Sequence, residues 1–194
     1  MTDALLPADY VDFVLFDWLG LDAVLSRPQF ADHDRDSVRA LLDLADRLAR
    51  DAFLPHYKAA DRIEPALTPD GDVHVLPEIG AALTAYVQAG FMAAPFAPEL
   101  GGLGLPEMVQ TAATGSFMAA NVATAGYAML TVANARLVVQ HGTPAQIAPS
   151  CRRNWMGGRS APCACRNRRR DRRWLMCAVG RCLKPTIRWG HGIA

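Results

Sequence analysis

Residues 1–150 contain no cysteine, and residues 151–194 contain a single acidic residue, Asp171. The first absence excludes a disulfide framework or a thiolate metal site from the larger part of the chain and suits a cytoplasmic protein. The second leaves a basic run without local counter-charges. Eight basic and eighteen acidic residues give residues 1–150 a net charge of −10, whereas twelve basic residues and one acid give the remainder +11. The overall charge of +1 therefore hides two chemically different segments. A secretory leader is not expected either, since the first apolar stretch, "YVDFVLFDWLGLDAVL", is interrupted by Asp12, Asp17 and Asp22 and has no basic flank. Residues 108–135 contain no charged residue at all. Their Ala, Thr, Gly and Asn content partitions poorly into lipid, so two helices buried within protein are expected there and no membrane span.

What is present is helical periodicity, and with 51% apolar residues the chain can bury a core. Val11, Val14, Leu15, Trp18, Leu19 and Leu21 recur at helical spacing and predict one amphipathic helix over residues 9–25. Asp34, Asp36 and Ser37 supply cap chemistry for a helix whose stripe runs from Val38 through Leu41, Leu42, Ala45, Leu48, Ala49 and Ala52 to Phe53, with Pro55 bending or ending it. "TPDGD" at residues 68–72 is turn chemistry. Pro77 then opens a helix through Ile79, Leu83 and Val87 that Gly90 closes. The neutral helix pair starts at Pro106, breaks between Gly115 and Asn121 or at Gly126, and stops at His141 and the C-terminal glycine Gly142. Thr143, Pro144 and Gln146 are arranged as the capping box of one more helix. From Pro149 onward neither helical period nor strand alternation is evident. The expected organisation is an N-terminal extension over residues 1–33, an all-α domain over 34–148, and a basic Cys/Arg-rich tail, disordered, over 149–194.

Chemistry-bearing patterns are few. "APFAPELGGLGLP" at residues 94–106 is no dinucleotide fingerprint, because no apolar strand precedes it and its glycine spacing is wrong for a pyrophosphate turn. Cys163, Cys165, Cys177 and Cys182 lack a strong zinc spacing, and no metal site is assigned. His56, His74 and His141 read as surface or capping histidines. Asp9, Asp12, Glu64, Glu78, Glu99 and Glu107 fall on solvated faces or loops, without the apolar burial that tunes a catalytic carboxylate. No catalytic or cofactor-binding residue is assigned.

Taken in order, "VQAGFMAAPFAPELGGLGLPEM", the neutral helix pair and "YAMLTVANARLVVQHGTPAQIA" resemble the acyl-CoA dehydrogenase family over residues 10–148, and the extended N-terminal segment resembles its longer bacterial branch. The resemblance implies the helical N-terminal domain of an FAD-dependent, homo-oligomeric enzyme that desaturates an acyl-CoA thioester. In that family a glutamate of a C-terminal helical domain takes the α-proton and the β-hydride passes to FAD. It also implies that Met129, Leu130 and Ala133 border the acyl chain, although the residues by themselves fit core packing better.

A strand motif like "GTMCLSEPQAGSSLADVR" should follow, and the codons explain its absence. When each codon's last base is read with the first two of the next, Asn154-Trp155-Met156-Gly157 must read Leu, Asp, Gly, and Ala164 to Cys177 permits "LSEPQAGSSLADV". Residues from about Pro149 onward are therefore expected to be an out-of-frame translation. The chain is expected to be an inactive fragment that retains no FAD, aggregates through uncovered faces and binds polyanions non-specifically through eleven arginines. Two rivals remain: a small helical interaction protein with a basic nucleic-acid-binding tail, and a membrane-associated helical hairpin.

Overall fold

The computed structural model describes residues 5–67, 69, 73–147 and 187–189. Within them the fold is all-α, with one small sheet at its edge.

The N-terminal segment is the least regular part. Helix α1 (Ala8–Asp12) widens through Phe13–Trp18, where the Leu19 amide reaches back to the Val14 carbonyl, and Gly20 in the left-handed region separates it from α2 (Leu21–Leu25). The single amphipathic helix expected over residues 9–25 is thus two helices. The wide turn rotates the apolar face. Leu15, Phe16, Leu21 and Leu25 are buried against Val38, Ala94, Leu105 and Val109, while Trp18 is 72% exposed. The guanidinium groups of Arg35 and Arg39 stack on Phe16 at 4.3 and 5.5 Å from its centroid and pair with Asp22 and Asp12. Such exposed ion pairs add little stability, but the aromatic stacking between them fixes how this segment lies on the next helix.

Helix α3 (Arg35–Leu48) starts as its cap residues dictate. The Asp34 carboxylate accepts from the Ser37 amide at 2.7 Å, and the Ser37 hydroxyl accepts from the Asp34 amide at 2.8 Å. Pro55 bends the chain without stopping it, because its place in the first turn of Leu54–His56 needs no amide donor there, and α4 (Tyr57–Arg62) follows directly. A hairpin then joins β1 (Ala66–Leu67) to β2 (Val73–Val75), with Ala66 opposite His74, and β3 (Ile187–Trp189) pairs in parallel with β2. These short strands leave the all-α expectation standing and add one unexpected strand beyond residue 149; the rest of the tail lies outside the described residues.

Helix α5 (Pro77–Gln88) ends in a Schellman motif. The Phe91 amide donates to the Tyr86 carbonyl, the Gly90 amide donates to the Val87 carbonyl, and Gly90 has φ +85°. The motif lays the Phe91 ring 5.5 Å from that of Tyr86 and so starts the core. Phe117 lies at its centre, 4.8 Å from Tyr86, 4.9 Å from Phe53 and 5.1 Å from Phe91, in tilted and edge-on contacts.

Helix α6 (Glu107–His141) is two helical arms joined across a kink at Asn121, whose backbone is extended at φ −162° and ψ 91°. Of the breaks expected, the one at Asn121 is observed, and Gly126 stays helical. Gly142 differs from the left-handed glycine expected, with φ −81°. Its lack of a side chain matters through crowding, since a Cβ there would lie 2.4 Å from the Val138 carbonyl oxygen. Half of the expected capping box forms, since the Thr143 amide meets the Gln146 side chain at 2.9 Å while the Gln146 amide donates to the Thr143 carbonyl and not to its hydroxyl, and residues 144–147 begin a helical turn.

Candidate functional site: a cleft between the arms of a folded helix

A straight helix would hold Glu107 and Arg136 about 44 Å apart. In the structure their side chains form a two-point ion pair, at 2.9 and 2.6 Å. The two arms of α6, residues 107–120 and 122–141, therefore fold back on each other, as the neutral pair predicts. Asn121 makes the turn possible in two ways. Its Oδ1 accepts from the Thr124 amide at 3.1 Å, which caps the second arm, and its Nδ2 donates to the Phe53 carbonyl at 3.1 Å, which ties the bend to the core.

Beside the bend, the Thr124 hydroxyl lies 2.9 Å from His56 Nε2, and both residues are buried. This corrects the surface or capping role expected of His56. Burial lowers its pKa, against the opposing effects of a hydrogen bond with the Ala52 carbonyl and of the Glu78 carboxylate, so the ring is neutral at pH 7. His74 and His141 are exposed, as expected.

Between the arms, with Tyr86 of α5 as its floor, lies an apolar cleft of about 410 Å³. Ala125, Ala128, Met129, Val132 and Ala133 line one side, and Gln110, Thr114, Phe117 and Met118 line the other. Its size is that of a site for a small molecule. The floor is polar at one place. Tyr86 is hydrogen-bonded to the Gln110 side chain, and burial pushes its phenol up to about 12 against that bond, so it stays protonated. Gln110 Oε1 is buried and has no hydrogen-bond partner.

The structure places Met129 and Ala133 in this cleft. Leu130 lines a separate hollow of about 320 Å³ with Ile63, Leu76, Ile79 and Tyr127. None of the three is a core residue; Met129 and Leu130 are 47% and 55% exposed, which corrects the packing role that the residues alone favour. Tyr86 and Gln110 escaped the sequence reading. No motif marks them, and only the i, i+3, i+7 spacing of Ile79, Ala82 and Tyr86 hinted that Tyr86 faces inward.

The glycine loop is a folded hook. The amides of Gly102, Gly104 and Leu105 donate to the carbonyls of Ala97, Phe96 and Ala94, and His33 donates from Nε2 to the Leu103 carbonyl at 2.7 Å. Those amides are committed, and the hook offers no phosphate cradle. Among the described residues no cluster of His, Cys, Asp and Glu could hold a metal, and the tail cysteines lie outside them. Asp12 and Glu107 are paired with Arg39 and Arg136, while Asp9, Glu64, Glu78 and Glu99 are exposed. By length and composition α6 is apolar enough to cross a membrane. Here it is folded at Asn121, and its Val109, Ala113, Phe117, Ala120, Ala125 and Ala128 are buried in the core.

These features describe a helical domain with an apolar cleft between the two arms of one folded helix. No family model matches the sequence. Over 117 residues it is 32% identical to the broad-specificity linear acyl-CoA dehydrogenase FadE5 of Mycobacterium tuberculosis, a match covering 60% of this chain and 19% of the relative. The chain thus spans about a fifth of the length of that curated relative.

Proposed function

We propose that residues 10–148 are the helical front part of an FAD-dependent acyl-CoA dehydrogenase, and that residues from about 149 onward are an out-of-frame translation. The observation that carries this reading is the folded α6 with its apolar cleft, set in a chain that is 32% identical over 117 residues to an enzyme named for linear acyl-CoA. Met129 and Ala133 would border an acyl chain in the cleft. Leu130, in the neighbouring hollow, would face whatever covers residues 122–130 in the complete enzyme, which is cytoplasmic and homo-oligomeric and acts on acyl-CoA.

Bound FAD supplies the hydride acceptor in such an enzyme. The glycine hook does not fit its phosphates, because the amides of Gly101, Gly102, Gly104 and Leu105 are used internally, and no catalytic step is assigned to this chain. It is inactive by itself and retains no FAD. With Ile63, Val122, Met129 and Leu130 exposed it self-associates rather than staying monomeric.

Expression of the gene with one base restored between codons 148 and 154 tests the proposal. A yellow protein that oxidises acyl-CoA in a dye-coupled assay is the expected result. A colourless, inactive product, or DNA that encodes no "SEPQAGSS" in the neighbouring frame, overturns it.

A further inference from the structure

We propose that the Glu107–Arg136 ion pair makes the cleft of α6 selective for chains whose end at that point is uncharged, against chains that end there in a carboxylate. The inference rests on the reading of the cleft as an acyl-chain site and names a substrate class within it.

Both residues line the cleft, and among the described residues that do so they alone are charged. Glu107 opens the first arm and Arg136 lies near the end of the second, so the pair stands about 20 Å along the arms from the bend at Asn121. Met118 and Ala125, by contrast, line the cleft within about one turn of that bend. The cleft thus has a charged end and an apolar end, with the uncharged side chains of Gln110, Thr111 and Thr114 between them.

At the charged end the side chains of Arg136 and Glu107 are 40% and 65% exposed, so the end of a bound chain can reach them. The Arg136 guanidinium donates from both Nη atoms, one to each oxygen of the Glu107 carboxylate, at 2.9 and 2.6 Å. That fork is the geometry in which an arginine best holds a carboxylate, and Glu107 already fills it. The pair as a whole carries no net charge. A second carboxylate arriving there loses hydration and meets the repulsion of Glu107 along with the attraction of Arg136, so it gains little in return. A methyl or alcohol end loses no such hydration. Once Glu107 is neutralised, the fork of Arg136 is free and the balance turns toward the carboxylate.

The test is a titration of the full chain, carrying 13C-methyl methionine, with 1-octanol and with octanoate at pH 7 and low salt. Binding is read at the methyl of Met129, which lines the cleft and is assigned through Met129→Leu. The ratio of the two affinities decides, since an alcohol enters any apolar cleft more readily than a carboxylate. Glu107→Gln is expected to move that ratio about fivefold toward octanoate, and Arg136→Gln about fivefold toward 1-octanol. A ratio that Glu107→Gln leaves where it was, or that both variants move in the same direction, overturns the selectivity while leaving the chain-binding reading intact. Failure of both probes to shift Met129 overturns the two together. Should one variant not fold, the direction in which the other moves the ratio decides.

Discussion

His56 Nε2 and Thr124 Oγ1 lie 2.9 Å apart in a buried pair that joins positions 68 residues apart in the chain. The ring is neutral in the folded protein because burial lowers its pKa below the ordinary 6.5. In the unfolded chain it takes up a proton near that ordinary value, so the unfolded state binds more protons as pH falls below it. Stability is therefore fully present above pH 6.5 and declines as the solution is acidified toward the folded-state pKa. Denaturant midpoints measured against pH should fall on acidification through that range, and His56→Gln, which keeps a neutral polar group, should flatten that part of the profile.

Three glycines should respond to alanine with different signs. A Cβ at Gly102 would lie 2.0 Å from the Phe96 carbonyl oxygen and 2.5 Å from that of Ala93, backbone atoms that cannot swing aside. Gly102→Ala should cost about 3 kcal/mol or more. Gly104, with φ +60° and its nearest neighbour at 3.6 Å, incurs only left-handed strain, about 1 kcal/mol. Gly126 is helical with open space around it, and Gly126→Ala should stabilise by about 0.5–1 kcal/mol. Urea midpoints in that order support the hook as described.

Asn121→Ala removes both bonds that hold the bend, leaving the buried Thr124 amide and Phe53 carbonyl without this partner. A loss of about 2–4 kcal/mol is expected. In protein carrying 13C-methyl methionine, the methyl signal of Met129, which lines the cleft, should also move without any change to a cleft-lining side chain, which distinguishes an altered arm angle from simple destabilisation.

Phe117 touches Phe53, Tyr86 and Phe91 at once. Phe117→Ala should cost about 3–5 kcal/mol and reduce the near-ultraviolet dichroism of the aromatic cluster far more than the helical signal.

Removal of residues 149–194 takes away eleven arginines and one lysine. Retention on heparin should weaken with salt for the full chain and disappear for the shortened one. Sequence-selective DNA binding lost on the same deletion would instead favour a nucleic-acid-binding protein.

Elements with one apolar face could be read directly from the chain. Val38, Ala45, Ala49 and Phe53 form a stripe, Asp34 and Ser37 form a reciprocal cap, and Gly90 ends α5, because each is decided by neighbours within a turn or two. Helix α6 could be located but not oriented. Apolar on nearly all sides, it has no periodic signal to separate the exposed Met129 and Leu130 from the buried Ala125 and Ala128. The hairpin was hidden because its strands are two and three residues long, shorter than an alternation can register. His56 was misread since its environment is made by Thr124 and by the bend at Asn121, far away in sequence. The polar floor of the cleft, Tyr86 with Gln110, is likewise a product of packing two helices together.

Both walls of the cleft belong to one uninterrupted stretch of chain, and a single residue joins them. Its aperture is thus governed chiefly by the two torsions of Asn121, in the way a pair of tongs is governed by its pivot. Evolution could retune the bore for thicker or thinner occupants at that pivot, leaving every lining side chain as it is.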